Sequence, residues 1–278
     1  MSHSINATQL FIIGSHASQT MSPDLWNPVF EALGNHWSYE PRDVPAHSPM
    51  QEIRNSLLST EVIGANVTMP HKRWAAGIAD ERSEQVSLSG AANLLIRQGG
   101  KLHAYNTDLI AVATKLATRM HDHVVFLGAG GAARAALVAL KGHIGAVTIA
   151  DRDQEAANQL LSLATHMGVP GKSVDWPRAS QAAAQASLII NATPIGKHAE
   201  DGAAWGTAQL LPGTYVYDFV YSSHTTGTTK AAIEQGLEYS DGWEHLLLQA
   251  EAMVPLLGLP EQSKTQLRHS LQRIRDNN

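Results

Sequence analysis

The chain has 278 residues, 44% of them apolar, a formal net charge of −5 and no cysteine. Its length predicts two domains, and the lack of cysteine excludes disulfides, thiolate nucleophiles and cysteine-based zinc sites, which fits an expected cytoplasmic location. The small negative charge argues against nucleic acid as a partner, no apolar run is long enough to span a bilayer, and MSHSINATQL lacks the basic-then-apolar order of a signal peptide.

Short apolar strands alternate with amphipathic stretches from end to end, which predicts an α/β fold. A first strand is expected at 10–14, a helix over 23–33, a second strand at 37–44 and a third at 61–68. Strands at 93–97 and 101–105 flank Gln98-Gly99-Gly100, a hairpin signal. A helix follows Asn106-Thr107-Asp108 to residue 119, with Asn106 or Thr107 as its cap. A second αβ series opens with a strand at 124–127 and continues with strands at 146–150, 187–191 and 215–220. Residues 243–274 read as two helices broken near Gly258-Leu259-Pro260. No linker or repeat interrupts the chain. The expected domains are 1–108, completed by the helices of 243–278, and a Rossmann-like domain at 109–242.

The stretch GANVTMPHK, residues 64–72, leaves a strand and enters a helix, with Pro70 suited to the first helical position. Lys72 is oddly sited there, because a helix N-terminus carries partial positive charge. It either reaches water or meets an acid. Asp108, at the end of an extended segment and the start of a helix, is the best carboxylate for it. A surface lysine and a helix-start acid remain the plain alternative.

Gly128-Ala129-Gly130-Gly131-Ala132-Ala133 fits G-x-G-x-x-A between a strand and a helix, with Asp151 ending the next strand. The first glycine suits the tight turn, the second lets backbone approach a pyrophosphate, and the helix N-terminus supplies amides to that anion. A carboxylate at Asp151 accepts from ribose hydroxyls and repels a 2′-phosphate. Asp153 adds negative charge beside it. Arg152 favours a phosphate, stacks on adenine or is merely solvated. Two acids against one base point to NAD over NADP.

Together with Gly90-Ala91-Ala92-Asn93, Asn106-Thr107-Asp108 and Asn191-Ala192-Thr193-Pro194-Ile195-Gly196, these motifs resemble the shikimate/quinate dehydrogenase family over nearly the whole chain. GSHASQTMSP, residues 14–23, resembles its G-N-P-x-x-H-S-x-S-P, and GANVTMPHK its G-x-N-V-T-x-P-x-K. The resemblance implies an N-terminal substrate domain and a Rossmann-like domain. It implies Lys72 and Asp108 as the catalytic pair, and substrate contacts from Thr20, Ser22, Thr68, Asn93, Tyr221 and Gln249. It places Gly128, Ala129, Gly130, Gly131, Ala132, Asp151, Arg152, Asn191, Thr193, Pro194 and Gly242 at the cofactor. In plainer terms, Thr20 and Ser22 would cap the helix of Pro23, and Gln249 would be solvated.

Departures from the pattern bear on the substrate. Leu94 stands where the family has threonine after its G-A-x-N asparagine. Lys197 replaces a methionine, and His245 replaces another near the expected nicotinamide. Leu94 and His245 either shape specificity or fill space. The expected activity is NAD-dependent hydride transfer to or from a ring hydroxyl of a shikimate- or quinate-like acid. A dehydrogenase of amino-shikimate or another polyol acid, or a nucleotide-binding regulator with little turnover, stays open, although keeping both Lys72 and Asp108 weighs against a regulator. No metal is expected. His121-Asp122-His123 reads as a solvated turn and His71 as exposed. The partner is a small hydroxy acid, and the chain a monomer or homodimer.

Overall fold

Apolar runs form the inner strands of two six-stranded sheets, and polar strands form their edges. The computed structural model describes residues 8–277; the segment MSHSINA, part of the stretch read for a leader, lies outside them. The chain divides into two compact units. One runs to Thr107 and resumes at Gln249, and the other is Asp108–Leu248. The return expected at residue 243 thus begins at Gln249, and Asp108 groups with the second unit.

The first unit contains β1 (Gln9–Gly14), α1 (Ser22–Ala32), β2 (Ser38–Asp43), α2 (Met50–Leu57), β3 (Val62–Val67), α3 (Lys72–Ile78), β4 (Glu81–Arg82), α4 (Glu84–Ser89), β5 (Leu94–Gln98) and β6 (Lys101–Tyr105). Its sheet order is β2-β1-β3-β5-β6-β4. β1 pairs in parallel with β2 and β3, while β5 runs antiparallel to β3 and β6. All six residues of β3 are buried, as a strand covered on both faces requires. Phe11, Ile13, Val67, Leu95 and Leu102 pack with Ala75 and Ala76 of α3, which fixes that helix against the sheet.

The second unit follows with α5 (Thr107–Leu116), β7 (His121–Leu127), α6 (Gly131–Ala139), β8 (Ile144–Asp151), α7 (Gln154–His166), β9 (Gly171–Asp175), α8 (Ala179–Ala183), β10 (Leu188–Asn191), β11 (Tyr215–Asp218), α9 (Gly227–Glu234), β12 (Glu238–Ser240) and the start of α10 (Gly242–Leu256). The last helix, α11 (Ser263–Asp276), packs on α1 in the first unit. The second sheet is parallel throughout, in the order β9-β8-β7-β10-β11-β12. That is the doubly wound order, with its switch point between β7 and β10.

Several expectations need correction. His121 and His123 belong to β7 rather than a solvated turn. His121 is buried with Nε2 3.0 Å from the Leu116 carbonyl, and burial lowers its pKa. His123 spans Gln185 O and Thr148 Oγ1. α3 starts at Lys72, not at Pro70, after a cis Met69–Pro70 bond. β4, β9 and β12, all edge strands, were not foreseen. Among the described residues no helix is long and apolar enough to cross a membrane, and no group of three His, Asp or Glu is arranged to hold a metal ion.

Candidate active site

In the first unit, the turn after β3 is fastened by its backbone. Thr68 N–H donates to Ile13 O at 2.8 Å, and His71 N–H to Thr68 O at 3.0 Å. Thr68 is half-buried. Lys72 opens α3, also half-buried, and its carbonyl accepts from Ala92 N–H at 2.9 Å. His71 is buried rather than exposed, with Nε2 2.7 Å from Val44 O. The ring therefore anchors the turn that carries the lysine.

Asn93, Thr107 and Gln249 form one buried line. Asn93 Nδ2 donates to Thr107 Oγ1 at 2.9 Å, its Oδ1 accepts from Thr107 N–H at 2.7 Å, and Thr107 Oγ1 donates to Gln249 Oε1 at 3.3 Å. Gln249 is thus buried, not solvated. Asn106 Nδ2 donates to Ala91 O at 2.9 Å, and the Thr107 side chain joins the line just described. Sequence reasoning missed Thr107 as a bridge, because a threonine beside a helix start reads first as a cap. Ser22 is buried at the first position of α1 and Thr20 half-buried just before it. Neither caps that helix. Its N-cap is Met21, without a side-chain bond, and Thr20 donates to Ala17 O at 2.8 Å. Leu94 is wholly buried.

In the second unit, Gly128 takes φ +94°, and a Cβ there would lie 2.8 Å from the Ala192 carbonyl oxygen. Only glycine lets the turn after β7 meet the loop after β10 so closely. Gly130 is the N-cap of α6, exposed, and a Cβ on it would meet no protein atom within 4 Å. Gly131 and Ala132 start α6, half-buried, and Ala129 is buried beneath. An open space over uncapped helix amides at the switch point fits the pyrophosphate of a dinucleotide. Asp151 is fixed on the same turn: Oδ2 accepts from Ala129 N–H at 2.6 Å and Oδ1 from Asp153 N–H at 2.9 Å. Asp153 caps α7 by accepting from Glu155 and Ala156 N–H. Arg152 is exposed.

Asn191 is wholly buried and committed to the protein. Its Nδ2 donates to Asp218 Oδ1 at 2.8 Å and to Ile195 O at 3.0 Å, while Oδ1 accepts from the Thr193 hydroxyl at 2.6 Å. These bonds shape the loop that carries Thr193 and exposed Pro194. Asp218, missed from the sequence, is the centre of this node. It also accepts from Val220 N–H and the Thr226 hydroxyl, and burial raises its pKa from 3.8 to about 6. Gly242 opens α10 tight against the Val220 backbone, where a Cβ would fall 2.2 Å from Val220 C. The missing side chain lets α10 approach that backbone. Half-buried Tyr221 lies tilted against Trp243 at 5.3 Å. Asp108 is buried in the first turn of α5, with Oδ1 3.3 Å from His245 Nε2.

A doubly wound sheet with a glycine turn at its switch point, following a mixed N-terminal sheet, defines an α/β protein with a Rossmann-like unit. A model of the shikimate dehydrogenase substrate binding domain matches residues 12–95. The shikimate dehydrogenase (NADP(+)) of Citrifermentans bemidjiense is 32% identical over 252 residues, covering 87% of this chain and 86% of that protein. The solved shikimate dehydrogenase of Mycobacterium tuberculosis matches with a TM-score of 0.78 at 28% identity, over 96% of this chain and 99% of that one. The quinate dehydrogenase of Corynebacterium glutamicum, solved in complex with NAD, gives 0.83 at 25% identity, over 96% and 99%. The chain belongs to the shikimate dehydrogenase family and is, at that level, an oxidoreductase.

Proposed function

We propose that the protein is an NAD-dependent dehydrogenase that interconverts a ring hydroxyl and the corresponding ring ketone of a shikimate- or quinate-like cyclic hydroxy acid by hydride transfer between the ring carbon and the cofactor. The observation that carries this reading is Lys72 at the first position of α3. A cation gains nothing from the helix dipole there, so we assign its ammonium to the substrate hydroxyl and to the carboxylate of Asp108. The dinucleotide, when bound, supplies the hydride acceptor. Lys72 and Asp108 take the hydroxyl proton as one coupled unit, and neither holds it alone. Thr20, Ser22, Thr68, Asn93, Tyr221 and Gln249 are proposed to hold the acid and its hydroxyls with neutral donors and acceptors.

NAD is favoured over NADP by Asp151. Two backbone N–H groups hold its carboxylate at the end of β8, where a carboxylate repels a 2′-phosphate, and the helix cap Asp153 adds charge of the same sign beside it. Arg152 is the single base in that turn. The curated relative from Citrifermentans bemidjiense is named for NADP(+), so both cofactors enter the test. Reduced-nicotinamide absorbance is followed with NAD and NADP across shikimate, quinate and amino-shikimate. The expected result is turnover of at least one ring acid, with kcat/KM higher for NAD. A higher kcat/KM with NADP overturns the cofactor assignment, and no turnover of any ring acid overturns the reaction. Asp151→Asn is expected to narrow the preference without inverting it.

A further inference from the structure

His245 stands where the family pattern has methionine, and both of its ring nitrogens are engaged within the second unit. Nδ1 lies 2.8 Å from the Tyr217 hydroxyl, and Nε2 lies 3.3 Å from Asp108 Oδ1. All three side chains are buried. Phe219 lies tilted against the imidazole at 4.3 Å between centroids, and Tyr217 presents its ring edge-on at 5.8 Å. The ring is thereby held in one orientation.

Donor and acceptor counting places a hydrogen on Nε2. An ionised carboxylate only accepts, so Nε2 must carry hydrogen to bond Asp108. In the neutral ring, with its one N–H on Nε2, Nδ1 offers a lone pair and Tyr217 O–H donates to it. Burial, and then the charge of Asp108, hold the Tyr217 phenol well above its ordinary pKa, so its proton stays in place. An imidazole so engaged is no free donor for a substrate hydroxyl or amine.

We propose that His245 is a positioning residue: its Nε2–H holds the Asp108 carboxylate, and Tyr217 fixes the tautomer, so that the three side chains act as one unit. This rests on the reading of Asp108 as half of the catalytic pair. It assigns this chain a support for that carboxylate that a methionine at the same place does not provide.

Two measurements test it. Nitrogen-15 NMR of histidine-labelled protein, with the His245 signals identified by their loss in His245→Met, is expected to show a neutral Nε2–H ring. Tyr217→Phe is expected to give a mixture of tautomers. An Nδ1–H ring in the wild type, or no change in Tyr217→Phe, overturns the proposal. In steady-state kinetics, His245→Met is expected to lower kcat about 10-fold and Tyr217→Phe about 3-fold, the range for losing a charged and a neutral hydrogen bond. KM for the acid is expected to hold within about 2-fold, and Tyr217→Phe is expected to add nothing in the His245→Met background, the signature of coupled residues. Additive losses, or a loss confined to KM, overturn it. A collapse of turnover in Asp108→Asn beside unchanged turnover in His245→Met overturns the positioning role alone. Wild-type turnover in Asp108→Asn overturns the proposed function and this inference with it.

Discussion

The two units hold their candidate residues by opposite means. The first uses side chains: buried Asn93, Thr107 and Gln249 tie one another down, and His71 anchors the turn of Lys72. The second uses backbone and missing side chains: Gly128 closes on Ala192, and Gly130 leaves a space no protein atom enters. Neutral hydroxyls and amides suit a small acid that must be oriented atom by atom. Bare helix amides suit a phosphate, which is held by charge and dipole. Substitutions in the first unit should therefore act on chemistry or folding, and those at the glycine turn on cofactor affinity.

The largest expected effect tests that division across the proposed catalytic pair. Lys72→Ala is expected to lower kcat by roughly 10²–10⁴-fold, the usual contribution of a positioned acid–base group. Dinucleotide affinity by calorimetry is expected to be unchanged. Near-wild-type turnover would falsify the assignment of Lys72.

Next comes Leu94→Thr. The side chain is wholly buried in β5, so the change leaves a cavity and a buried hydroxyl, and about 3 kcal/mol of stability should be lost. The shikimate-to-quinate ratio of kcat/KM should not move. A changed ratio without a fall in stability would return Leu94 to the substrate.

Asp218 gives the pH dependence of the second unit. Its folded pKa is raised from 3.8 to about 6 by burial, against hydrogen bonds that lower it. The folded state thus binds the proton more tightly. The stability from this group is fully present below about pH 4 and is lost as pH rises through about 6, by at most about 3 kcal/mol. Thermal denaturation between pH 4 and 7.5 should show a shallower fall in Tm for Asp218→Asn than for wild type. Parallel curves would exclude Asp218 as the source.

The smallest effect is the most pointed. Gly130→Ala adds a methyl that meets nothing in the protein, so Tm should stay within a degree or two. If the space belongs to a pyrophosphate, dinucleotide affinity should fall about 10-fold, the equivalent of about 1.4 kcal/mol. Unaltered affinity would remove the cofactor from that space.

Inner strands were readable because apolar residues run unbroken through them, as in VVFL and LII. The edge strands β9 and β12 were not, because EYS and GKSVD carry no pattern that separates them from loop. His121 and His123 were misread for a related reason. Polar residues before an apolar run suggest a turn, yet neighbouring carbonyls and a hydroxyl satisfy both rings within the strand. At the site, residue types in motifs were legible, but commitments between distant side chains were not. Nothing near Gln249 in sequence announces Thr107, 142 positions away, and nothing near His245 announces Asp108 or Tyr217. Asp153 read as a second charge beside the ribose, and its work as the α7 cap shows only once the helix start is placed.

Each sheet also ends in a way that bears on company. β2 carries Pro41 among charged residues, β4 is the pair Glu81–Arg82, β12 has three residues, and β9 opens with Gly171 and Lys172. Short, charged or proline-bearing margins deny an incoming strand a partner ladder. The four margins thereby work against the edge-to-edge stacking by which sheets aggregate.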